Sequence, residues 1–80
     1  MTVKDAVVKR FQTICAERGI RLNELANRSG VTPSTVYSMV DSRRRELSIT
    51  TIKKLCDGLD MSLGEFFSAA EFECLEQEIK

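Results

Sequence analysis

The sequence predicts an all-α fold, and three observations carry that expectation. Apolar residues recur at three- and four-residue steps, capping signals stand before four of these runs, and no alternating stretch is long enough for a useful strand. Five helices follow, the fifth drawn from Leu63 toward the C-terminus.

Thr2, with Asp5 three residues on, caps a first run of Val3, Ala6, Val7, Phe11, Ile14 and Cys15 that Gly19 ends. Leu22, Leu25 and Ala26 form a short second helix closed by Gly30, where glycine can take the left-handed conformation. Thr32-Pro33 starts a third helix almost at once, because proline at the first helical position gives up a donor that would be unpaired there anyway. Val36, Met39 and Val40 make its buried side and leave Ser34, Thr35, Tyr37 and Ser38 outward. After the basic loop Ser42-Arg43-Arg44-Arg45-Glu46, Ser48 caps a fourth helix carrying Ile49, Ile52, Leu55, Cys56 and Leu59. Ser62-Leu63-Gly64-Glu65 is a capping box for the fifth.

Eighty residues suffice for one small core, and 42% apolar with 30% charged residues is the balance of a folded globule. Residues 1–70 are expected to form the domain and 71–80 an acidic helical extension. Lys4, Asp5, Lys9 and Arg10 interrupt the N-terminal apolar run, so neither a signal peptide nor a membrane span is expected and the location inferred is cytoplasmic. Cys15, Cys56 and Cys74 are odd in number and there is no histidine, which argues for buried thiols and against a disulfide framework or a metal site. The formal net charge of zero hides a split: residues 1–60 hold eleven Lys/Arg against seven Asp/Glu, residues 61–80 one against five. Local charge decides affinity for a polyanion, so a zero total does not exclude one.

Two short helices joined by a glycine-containing turn, here residues 21–40, have the layout of a helix-turn-helix, whose second helix fits the DNA major groove. The resemblance extends further. Gly19 to Ala26, Ser29 to Val36, Ser48 to Cys56 and Met61 to Phe67 together resemble the Cro and phage-repressor type of bacterial DNA-binding domain, with its five-helix, lambda-repressor-like fold, across about residues 5–68. That resemblance implies that Ala26 lets two helices approach, Gly30 makes the turn and Val36 docks the recognition helix. It implies that Thr32, Pro33, Ser34, Tyr37 and Ser38, beside Thr35, face double-stranded DNA, and that Arg43, Arg44 and Arg45 meet phosphates. Arginines supply a sequence-blind, salt-dependent attraction, while short polar side chains near a helix N-terminus reach base edges. A run of three arginines is also what a solvated loop contains.

Four positions depart from the family pattern. Leu22 stands where a phosphate-binding glutamine is common, and Arg21, where a threonine-like cap is usual, could supply a phosphate contact instead. Pro33 replaces a long polar reader and offers apolar contact alone. Asp60 stands where glycine usually ends helix four, although aspartate tolerates the left-handed region better than most residues.

A fifth helix continued toward Ile79 would carry Leu63, Phe66, Phe67, Ala70 and Cys74 on one side and Phe72, Leu75 and Ile79 on the other. The second side then predicts packing on a twin, a two-fold homodimer reading paired half-sites. Glu71, Glu73, Glu76 and Glu78 are equally what a solvated terminus carries, and their charge places the tail away from the basic loop. The expected function is sequence-specific DNA binding by a repressor-like transcriptional regulator. The alternative is a helical protein-interaction or antitoxin-like module, favoured by the zero net charge and the missing amide at Leu22. No catalytic motif, cofactor site or small-molecule site is visible, so the chain is read as a non-enzyme.

Overall fold

The computed structural model describes residues 1–44 and 46–79, and among them there are five α-helices and no strand. They are α1 (Val3–Arg18), α2 (Leu22–Ser29), α3 (Pro33–Val40), α4 (Ile49–Gly58) and α5 (Leu63–Phe67), with a single 3₁₀ turn at Ala70–Phe72. The capping boxes expected at Thr2/Asp5 and Ser62/Glu65 are both formed. Ser48 caps α4 by accepting from the backbone N–H groups of Thr50 and Thr51.

Three helices end in one geometry. Ile20 N–H donates to Cys15 O while Gly19 N–H donates to Ala16 O; Val31 and Gly30 repeat this on Ala26 and Asn27, and Met61 and Asp60 on Cys56 and Asp57. Each pair is a Schellman motif, which needs one residue at positive φ. Gly19 and Gly30 adopt it at 67° and 69°, and Asp60 adopts it at 55° without glycine's freedom.

α2 packs on α3 and α4, and α4 on α5, around Phe11, Leu25, Val36, Leu55, Cys56, Leu59 and Phe66, all fully buried. The approach of α2 to α4 depends on Gly58, where a Cβ would lie 2.2 Å from Ser29 Oγ and 3.1 Å from Ser29 Cα. Across the core, α1 contributes Phe11, whose ring centroid is 4.3 Å from that of Phe66.

α1 also ties the other helices down through cations. Lys4, buried to 7% exposure, donates from Nζ to Asp41 O at 2.6 Å, the carbonyl just past α3. Arg10 donates to Phe66 O and Glu65 O at the end of α5, and Arg18 to Leu59 O at the end of α4. The last carbonyls of a helix have no intrahelical partner and carry the negative end of its dipole, so one cation satisfies both needs. These three charges belong to the fold, and the positive excess of residues 1–60 is correspondingly smaller as a surface property.

The C-terminal segment departs from the expected long helix. α5 stops at Phe67, and residues 75–79 form no helix. The reason is in the aromatic packing: Phe72 turns inward, with centroids 5.9 Å from Phe66 and 4.9 Å from Phe67, and the 3₁₀ turn packs on α1. A continuous helix would have carried Phe72 away from both rings, so burial of one more aromatic outweighs continued helical hydrogen bonding. Beyond it, Glu76 N–H donates to Met1 O at 3.1 Å, and the tail lies beside the start of α1. Cys74 is exposed, contrary to the expectation of three buried thiols; Cys15 and Cys56 are buried. No helix among the described residues is long and apolar enough to cross a membrane.

Candidate nucleic-acid interface

The turn between α2 and α3 consists of Gly30, Val31 and Thr32. The Schellman motif at Gly30 reverses the chain, Pro33 occupies the first position of α3, and Val36 and Met39 anchor the helix with 0% and 3% exposure. Thr32 does not cap α3 through its side chain. Its Oγ1 lies 3.0 Å from both Ser34 Oγ and Thr35 Oγ1, so three hydroxyls are linked at the helix N-terminus. Pro33 has no N–H and the Thr35 N–H donates to Thr32 O at 3.0 Å, so the Ser34 N–H is the donor of the first α3 turn that keeps no side-chain acceptor.

Thr32, Pro33, Ser34 and Tyr37 are exposed, Tyr37 to 51%, while Thr35 and Ser38 are half-buried at the edge of a cleft. This open cleft of about 260 Å³ brings together Thr35 and Ser38 of α3, Arg44 of the loop, and Ser48 and Thr51 from the start of α4. Ser48, Thr51 and Glu46 in its wall were not among the interface residues expected from the sequence. The capping signal at Ser48 marks a helix N-terminus, but nothing local shows that this terminus would face α3.

The loop arginines are not equivalent. Arg43 is held by Asp41 through a two-pronged pair, Nε to Oδ1 at 3.1 Å and Nη2 to Oδ2 at 2.9 Å, and its backbone N–H donates to the same carboxylate. The Arg43 hydrogen bonds hold the Asp41 carboxyl below the ordinary aspartate range. Phosphate must therefore compete with Asp41 for Arg43. Arg44 is exposed in the cleft beside Ser38, and Arg45 lies outside the described residues. Arg21 is the exposed N-cap residue of α2 without a side-chain cap bond, and it does not share this cleft.

The residues expected to contact a twin do not form one face. Phe72 is half-buried and packs against the core, Leu75 is half-buried and Ile79 is 83% exposed. Nor does the acidic tail lie away from the arginines: Glu78 lines a cleft of about 350 Å³ with Thr2, Lys4, Ser42 and Arg44. The hydrogen bond from Glu76 N–H to Met1 O and the pairing of the Met1 ammonium with Glu76 hold the tail beside the start of α1 and bring it there.

A family model of the Cro/C1-type HTH DNA-binding domain matches residues 10–71, a span that contains α2, α3, α4 and α5. Among solved structures, the prophage Lp1 protein 11 is similar with a TM-score of 0.82 and 27% identity, covering 94% of this chain and 99% of that one. No curated protein sequence matches the chain.

Proposed function

Since the chain belongs to the Cro/C1-type helix-turn-helix DNA-binding family, we propose that it reads specific duplex sequences through α3 and acts as a repressor-like transcriptional regulator. The observation that carries this reading is the cleft in which Thr35 and Ser38 meet Arg44 and the start of α4. A hydroxyl-bearing helix with a cation at its flank separates the two tasks of an operator reader. Thr32, Ser34, Ser38 and Tyr37 face base edges, with apolar contact from Pro33; Arg44 and the Ser34 N–H at the start of α3 hold phosphates. Arg43 contributes once phosphate replaces Asp41, Arg45 extends the same basic loop, and Arg21 adds a peripheral contact.

Half-site reading further calls for a two-fold homodimer. Ile79 is the large apolar residue of the tail that is exposed, and Val3 and Ile49, exposed to 42% and 59%, line one cleft with its neighbour Glu78. Sedimentation of the full chain, alone and with Ile79→Glu, tests this assembly. A monomer at all concentrations, also on DNA, removes it.

Base reading and phosphate binding are tested separately. Arg44→Ala is expected to weaken binding to every duplex and reduce the salt slope by about one unit. Ser38→Ala is expected to change preference among duplexes with little effect on non-specific binding. Equal losses on all sequences would take Ser38 out of the reading set. Wild-type binding too weak to show a salt slope would favour the protein-interaction module instead.

A further inference from the structure

We propose that the acidic C-terminal segment is an intramolecular strap on the arginine loop, with Glu78 competing against DNA phosphate for Arg44. The inference rests on the reading that Arg44 meets phosphate.

Three observations place the strap. Phe72 is anchored against Phe66 and Phe67, so the segment leaves the core at a fixed point. Glu76 N–H donates to Met1 O and aims the remaining residues along the start of α1. Glu78 then shares one cleft with Ser42 and Arg44, while Arg44 also lines the cleft that holds Thr35 and Ser38. One guanidinium thus stands between the tail carboxylate and the hydroxyls of α3.

The chemistry favours competition. Residues 71–79 contain four glutamates and no lysine or arginine. Among the described residues, Lys4 in the same cleft is engaged by Asp41 O and the Met1 ammonium is paired with Glu76, so Arg44 is the cation of that cleft left to Glu78. Residues 75–79 carry no helix to be broken when the tail swings away. An exposed carboxylate beside an arginine is a weak, salt-screened competitor, so the strap biases DNA binding and does not block it.

The test uses the full chain and one duplex at low salt. Glu78→Gln is expected to tighten binding by about two- to fivefold, the scale of an exposed ion pair. Glu73→Gln makes the same change in net charge at a residue that does not line this cleft and is expected to give a smaller gain. The Glu78→Gln gain should vanish in an Arg44→Ala background and at high salt. In the absence of DNA, the amide resonances of Ser42 and Arg44 should move on Glu78→Gln and stay in place on Glu73→Gln. Equal gains from the two glutamine variants, or unmoved resonances, overturn the strap while leaving the phosphate reading intact. Arg44→Ala without effect on DNA binding overturns that reading, and the strap with it.

Discussion

The Lys4 ammonium donates to the carbonyl of Asp41 across 37 residues, and so fastens the start of α1 to the end of α3. The same Asp41 holds Arg43 through its carboxylate. One residue thereby links the end of α3 to both the buried lysine and the arginine loop.

Lys4→Met keeps the apolar stem and removes the donor. The Asp41 carbonyl keeps the Arg44 N–H as a donor at 3.1 Å, so the loss is that of one hydrogen bond, about 0.5–1.5 kcal/mol. For a domain of this size that is roughly 4–8 °C in Tm for each kcal/mol. Thermal unfolding measures the loss, and faster amide exchange in the last turn of α3 would localise it.

Gly58→Ala should destabilise the protein although alanine is the better helix former. The added Cβ would meet both the side chain and the backbone of Ser29, and overpacking of about 1–3 kcal/mol exceeds the roughly 1 kcal/mol gained in propensity. Ser29→Ala is the contrast. It deletes a buried hydroxyl that has no hydrogen-bond partner among the described residues, and denaturant unfolding should show it neutral or stabilising by up to about 1 kcal/mol.

Asp60→Gly should raise the unfolding midpoint. Asp60 pays for a left-handed conformation at φ 55° that glycine adopts without strain, and relief of about 0.5–1 kcal/mol is expected after the entropy lost to a more flexible unfolded chain. An unchanged or lower midpoint would mean that the aspartate makes a compensating contribution.

Acid should weaken the fold through its two capping boxes. Bonding from Thr2, through its side chain first, lowers the Asp5 carboxyl pKa, and bonding from the Ser62 backbone first lowers that of Glu65. A carboxylate whose folded value is depressed contributes stability that is full above its unfolded value and lost as pH falls through the folded value. Unfolding midpoints should therefore drop between roughly pH 5 and pH 3, the range in which such carboxyls titrate. The drop should be smaller for Asp5→Asn with Glu65→Gln. The buried thiols do not enter this range, since burial raises Cys15 and pushes Cys56 up to about 11.

Local signals in the sequence were enough to place five helices, because a Thr or Ser cap, a glycine terminus and a three-to-four-residue apolar step act within one or two turns. Even the exception at Asp60 was legible, as a non-glycine residue where the chain needs positive φ. Long-range partners were not legible. Nothing local to Lys4, Arg10 or Arg18 names the helix ends they satisfy, which only the fold brings to them. Phe72 read as outward because helical periodicity was extended past Phe67, whereas its position was decided by two rings it could reach only by leaving the helix. At the interface, the outward residues of α3 followed from spacing and resemblance. The approach of Ser48 and Thr51 to Arg44 and the capture of Arg43 by Asp41 depend on how the loop closes.

Selection of bound duplexes from a random pool, with the full chain at about physiological salt, tests most directly whether α3 reads sequence. Specific sites typically stand some 10³-fold or more above background, so an enriched motif is expected, palindromic if two copies bind together. It should weaken or change on Ser38→Ala. A folded protein that enriches no motif would contradict sequence-specific regulation.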